Sequence, residues 1–139
     1  MTTDTHLLLK AAAKVRGLRA RERLLMAEGG VVSSQQAAEV LGMSRQGIDK
    51  SRRNKQLIGL SLGRRGFIYP VWQFVEGGTL PRLESVLAEL HDLDAWMQTA
   101  FMVNSNTRLN GESPLALLRR GEVEAVRAAA SEYGKQGAA

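Results

Sequence analysis

Apolar residues recur at helical spacing from the start of the chain: Leu7, Leu8, Ala11, Ala12, Val15 and Leu18. This spacing predicts a helix from about His6, with Asp4 or Thr5 as its cap. Gly17 weakens or breaks it. Helical register continues through Leu18 to Glu28, with Leu24 and Leu25 apolar and Arg19, Arg21 and Arg23 polar, until Gly29-Gly30 ends it. Val31-Val32 reads as a short extended segment. The pattern then tightens. Ser33 and Gln36 have the spacing of a capping box, Ala37, Ala38 and Leu41 give one apolar face, and Gly42 supplies a left-handed stop. Ser44 caps a second helix running to about Asn54, with Ile48 as its apolar anchor. A small Ala38, then Gly42, then Ile48 is the spacing of a helix-turn-helix: the small residue lets the helices approach and the glycine lets the chain turn.

Beyond this motif the period changes from helical to alternating. Leu57 to Leu62 and Phe67 to Pro70 flank Gly63-Arg64-Arg65-Gly66, which predicts a β-hairpin with two arginines at its tip. A hairpin directly after a recognition helix is a wing. Trp72 and Phe74, among apolar neighbours, read as packing beneath it rather than as base-stacking residues. Glu76-Gly77-Gly78 reads as a domain boundary, dividing a DNA-binding half (1–75) from a helical half (76–139). In the second half Leu83, Val86, Leu87 and Leu90 form one buried stripe. Asp94 caps a helix from Ala95 to Val103, with Trp96, Ala100 and Val103 as core. Ser113-Pro114 starts a short helix closed by Gly121, and Val123 to about Tyr133 makes the last, with a fraying end. The fold class expected is mainly α: a helix-turn-helix with a β-hairpin wing, followed by a small C-terminal helical domain.

Charge sharpens this division. The net charge of +5 is the sum of +8 over residues 1–75 and −3 over residues 76–139, so the first half is suited to a polyanion and the second is not. Cysteine is absent, which rules out disulfides and thiolate zinc sites. The apolar runs at Leu7–Leu9 and Ala11–Ala13 are too short to span a bilayer, and no signal-like segment opens the chain. A soluble cytoplasmic protein is the simplest expectation, with double-stranded DNA as partner and no membrane.

The expected recognition helix carries the candidate chemistry. Ser44 caps it, and Arg45 and Gln46, near its N-terminus, are the base readers: an arginine fork matches guanine and a glutamine amide matches adenine. Lys50 lies about one turn further on. Asp49 would repel phosphate, so it reads cytosine, holds an arginine or points away. Arg52, Arg53 and Lys55, with Arg64 and Arg65 on the wing, are the expected phosphate positioners. The arginines and lysines of the first helix could touch phosphate or form a dimer-stabilising arm, or they are a solvated face. Catalysis finds little support. His6 and His91 lie in different segments without a ligand partner at i+4, Glu89, Asp92 and Asp94 are explained as caps, and no phosphate loop or nucleophile elbow appears. No enzyme, metal or cofactor is expected.

Two resemblances follow from these residues. Residues 33–60 resemble helix-turn-helix segments of the MerR and excisionase type. Asn106 to Gly121, with its Gly111, Ser113-Pro114-Leu115, Leu117-Leu118 and Gly121, resembles the C-terminal domain of Xre/MbcA/ParS-type antitoxins, although Thr107 stands where that pattern has proline and those antitoxins usually carry an all-helical DNA-binding unit. This resemblance implies a module that dimerises and binds a toxin, often a RES-domain NAD-degrading enzyme, while the N-terminal half represses the operon. Leu118 would then be core. Leu117, turned about a hundred degrees from it, would face the partner along with Arg119 and Arg120. The function expected is a homodimeric, antitoxin-like transcriptional repressor dimerising through its C-terminal half. The alternatives are a toxin inhibitor and a DNA-architectural or partition factor with little sequence preference.

Overall fold

The computed structural model describes residues 2–138, with side chains described for residues 5–135. Among the described residues there are seven α-helices and five short strands. Helix α1 (Thr2–Met26) is already under way at Thr2, ahead of the start expected near His6, and passes Gly17 without a break. Gly17 has open space around it, so its cost there is conformational alone. A tight turn over Ala27–Gly29 delivers the chain to β1 (Val31–Ser33).

Helices α2 (Ser34–Leu41) and α3 (Arg45–Arg53) form the expected helix-turn-helix. The Ser33 hydroxyl accepts from the Gln36 N–H at 3.1 Å, and the Gln36 side chain accepts from the Ser33 N–H at 2.9 Å. Gly42 adopts φ 64°, the left-handed stop that lets α2 turn into α3. Ala37, Ala38 and Ile48 are buried together with Leu57 and Tyr69, a small core of their own.

Strands β2 (Leu60–Ser61) and β3 (Phe67–Pro70) make the wing, and β1 pairs on the other side of β3, giving an antiparallel sheet of order β1-β3-β2. Val32 faces Tyr69 and Leu60 faces Ile68. A second pair, β4 (Phe74–Val75) and β5 (Gly78–Thr79), turns through Glu76-Gly77. This corrects the expected boundary. The glycines shape a hairpin rather than a hinge, and the main core runs straight across them: Ile58, Leu60 and Trp72 lie in one cluster with Leu80, Leu83, Leu90, Phe101, Leu115 and Val126. The two halves share their interior.

Helices α4 (Leu83–Glu89), α5 (Ala95–Val103), α6 (Pro114–Arg119) and α7 (Val123–Ala138) complete the core. Asp94 caps α5, accepting from the Met97 N–H at 2.9 Å, and Ser113 caps α6, accepting from the Ala116 N–H at 3.1 Å. Trp96, Ala100 and Val103, expected in the core, are half-buried at its edge. Helix α7 stays regular through Ala138, past the expected fraying point. It can lie close to α4 because Gly134 has no side chain: a Cβ there would stand 2.9 Å from the Glu89 carbonyl oxygen. Among the described residues no helix is long and apolar enough to cross a membrane.

Candidate nucleic-acid interface

The Ser44 hydroxyl accepts from the Gly47 N–H at 3.0 Å and fixes the start of α3. That cap presents Arg45 and Gln46, both exposed, on the first turn. Lys50, Arg53 and Lys55 are also exposed, and Lys55 ends the helix with φ 62°. Arg45 and Arg53, at the two ends of α3, are therefore separated by about 12 Å along the axis, with a guanidinium and an amide at one end and cations at the other.

One of the expected contacts is engaged elsewhere. Arg52 is a strut, not a phosphate positioner. Its guanidinium stacks 3.6 Å from the Phe67 ring centroid, its Nε donates to the Tyr69 hydroxyl at 3.3 Å, and its Nη2 lies 3.5 Å from Asp49 Oδ1. Its side chain is 19% exposed. Strand alternation puts Phe67 and Tyr69 on the same face of β3, toward α3, and Gly59 leaves the room: a Cβ there would collide with Arg52. Asp49 thus holds an arginine, one of its three open roles. The strut ties α3 to the wing at a fixed distance. Sequence reasoning missed it, although the i, i+3 spacing of Asp49 and Arg52 and the i, i+2 spacing of Phe67 and Tyr69 were both visible.

The wing tip is a closed turn. Leu62 N–H donates to the Gly66 carbonyl at 2.8 Å, and Gly63 and Gly66 take φ 68° and 86°. Arg64 and Arg65 are exposed on it. At the base of the wing, Arg53, Lys55, Ser61 and Phe67 share a groove of about 390 Å³, bounded opposite by Trp96 and the Asp94-capped start of α5. A second lock was not foreseen. Gln73, fully buried, accepts from the Ile58 N–H and donates to the Ile58 carbonyl, both at 2.8 Å, pinning the segment that joins α3 to β2. Trp72 is core and Phe74 half-buried, as the sequence suggests.

The expected partner surface on α6 is rearranged. Leu117 is 5% exposed and lies in the main core with Leu115 and Leu118, so it faces no partner. A six-residue helix held between α5 and α7 buries more than one face, and a hundred-degree turn does not bring Leu117 to solvent. Arg119 is exposed and pairs with Glu28 at 3.3 Å, bracing the root of α1. Arg120 is exposed but clamped, donating to both Glu112 carboxylate oxygens at 2.8 Å and to Glu122 at 2.9 Å. The hydrogen bond from Arg120 holds the Glu112 carboxyl below its ordinary value, and those that Arg120 donates to Glu112 and Glu122 raise its guanidinium above its own.

No protein-family model and no curated protein matches the sequence. Among solved structures the chain is similar to Rv2175c, determined by NMR, at 18% identity and a TM-score of 0.62, over 75% of this chain and 80% of that one. A likeness at that identity speaks for the fold alone. The mainly helical architecture with a small antiparallel sheet thus exists in another protein.

Proposed function

We propose that this protein is a DNA-binding transcriptional regulator that works as a homodimer and reads the major groove with α3. One observation carries the reading. The exposed residues on the first turn of α3 are Arg45 and Gln46, and every exposed charge further along α3 and on the wing tip is cationic: Lys50, Arg53, Lys55, Arg64 and Arg65. The one acidic residue among them, Asp49, is occupied by Arg52. A helix N-terminus with fork and amide donors is the arrangement that distinguishes base pairs, and the cations beyond it match phosphate.

The resemblance of residues 106–121 to antitoxin C-terminal domains extends the proposal to repression of the protein's own operon. Gly111 and Gly121, with φ 82° at both, and Ser113-Pro114 at the head of α6 support that likeness. The rival reading, a toxin inhibitor, loses the Leu117 contact, since Leu117 is buried, and keeps the exposed Arg119 and Arg120, both engaged in ion pairs.

The test is selection from a random duplex pool followed by fluorescence anisotropy on the recovered site across a salt series. A regulator enriches one motif and discriminates it by at least about a thousandfold from random duplex. Enrichment of no motif, with a steep salt dependence, would reassign the protein to the architectural class.

A further inference from the structure

Among the described side chains of α1, only those in its last third are docked. Ala20, Leu24 and Leu25 are half-buried, Arg21 stacks 4.8 Å over Trp96, and Glu28 beyond the helix pairs with Arg119. From Thr5 to Arg19 every residue is exposed. Leu7, Leu8, Val15 and Leu18 are 57%, 70%, 44% and 53% exposed. At about 100° per residue these four and Ala11 form one stripe, turned away from Ala20 and Leu24 and continued at the docked end by the half-buried Leu25, while the exposed Leu9 lies on the other side of the helix. Lys10 and Lys14 flank it on one edge and Arg16 and Arg19 on the other. An isolated helix of this kind gains most of its stability from packing its apolar face, so a stripe of leucines left in water calls for a partner.

The same molecule carries a matching recess. Val32, Val40, Val71, Phe74, Val75 and Glu76 line a groove of about 490 Å³ between β1, α2 and the β4 hairpin. Val40 is 58% and Val75 38% exposed, so the groove is open. Glu76 is its charged residue, and the exposed Glu39 precedes Val40 on α2. An apolar recess with carboxylates complements an apolar stripe edged with cations. Its wall at Val71 stands beside the root of the arm, where a Cβ on Gly29 would lie 3.7 Å from Val71 Cγ1. The arm leaves that root as a continuous helix with its leucines in solvent, so it does not fill its own groove.

We infer that two copies of this chain exchange α1 arms, each laying its Leu7–Leu18 stripe in the valine groove of the other, with Lys10 or Lys14 beside the carboxylate of Glu76 or Glu39. A reciprocal exchange closes as a two-fold dimer and leaves no open end for further copies. From Thr5 to Arg19 the arm is about 22 Å long, enough to reach a neighbouring body. DNA fits the stripe poorly, because leucines offer phosphate nothing. A bilayer would leave the groove empty. The inference rests on the dimeric part of the reading above and not on DNA binding.

The absence of native cysteine makes the test direct. Full-length Leu8→Cys chains are mixed with full-length Val40→Cys chains under mild oxidation, without DNA. The heterodisulfide should dominate. Exclusive Leu8→Cys homodisulfides would place arm against arm and overturn the exchange. In sedimentation the unaltered chain should be dimeric at micromolar concentration. Leu8→Glu and Val75→Lys should each raise the dimer dissociation constant at least about tenfold while the body still unfolds cooperatively. Lys10→Glu should weaken the dimer and Glu76→Lys added to it should restore it. A monomeric unaltered chain, or one that sediments with anionic vesicles instead, sinks the exchange; retained affinity for the selected DNA in that case leaves the regulator reading standing.

Discussion

The two longest helices treat their apolar residues in opposite ways. Helix α7 is rich in alanine, and its Val126, Ala129 and Ala130 are all but sealed in the core, with Gly134 against the backbone of α4. Helix α1 is richer in leucine, and its Leu7, Leu8 and Leu18 stand more than half exposed. Hydrophobicity therefore does not rank these helices by burial. Close approach does: small residues let α7 lie against α4, whereas α1 has a body to touch only at its last turns. The core is complete without Leu7, Leu8 and Leu18 of α1, which leaves them free for a surface role.

Substitutions can break this contrast. The largest effect is expected at Leu117→Asp, which puts a charge into the main core and should unfold the body; circular dichroism at ambient temperature would show it. Leu8→Asp, an equal chemical change on α1, should leave the body's stability within about 0.5 kcal/mol. Equal losses at both positions would mean that α1 belongs to the core. Leu118→Ala should cost about 2–5 kcal/mol in denaturant unfolding.

The helix-turn-helix was legible because each feature acts locally: the Ser33–Gln36 box, the left-handed Gly42, the Ser44 cap and the wing's Gly-flanked arginine tip need no distant partner. What escaped depended on distant partners. Glu76-Gly77-Gly78 has a linker's composition, but pairing of Phe74 with Thr79 makes it a turn. Leu117 points away from Leu118 on its own helix, yet α5 and α7 enclose both. Arg52 looks like its neighbour Arg53 in sequence, and only the arrival of Phe67 and Tyr69 separates their roles. Gln73 has no pattern at all that announces a buried amide closing on Ile58.

Smaller effects sharpen the same division within α3. Arg52→Ala should cost about 1–3 kcal/mol of stability, through the lost stacking and hydrogen bond, and Arg52→Lys should not restore it, because an ammonium does not reproduce the planar fork. Arg53→Ala, one residue on, should leave unfolding unchanged and lower the salt slope of DNA binding by about one. Arg45→Ala should cost about 1–3 kcal/mol at the selected site and relax choice at one base pair. The smallest effect is acid-dependent. Glu112 is held below its ordinary value by Arg120, so their bond contributes stability that is present above about pH 4.3 and lost as pH falls through the lowered value. Both groups are exposed, so Arg120→Gln should flatten the acid limb of a melting-temperature profile only slightly.

The central claim is that α3 and the wing tip, rather than the basic arm, meet DNA. The most direct measurement is a nitrogen-15 NMR titration of the full chain with its selected duplex. The amides of Ser44 to Lys50 and Gly63 to Gly66 should shift together and saturate at one duplex per dimer, while those of α7 stay in place. Shifts confined to α1, with Arg45 and Gln46 unmoved, would contradict the account.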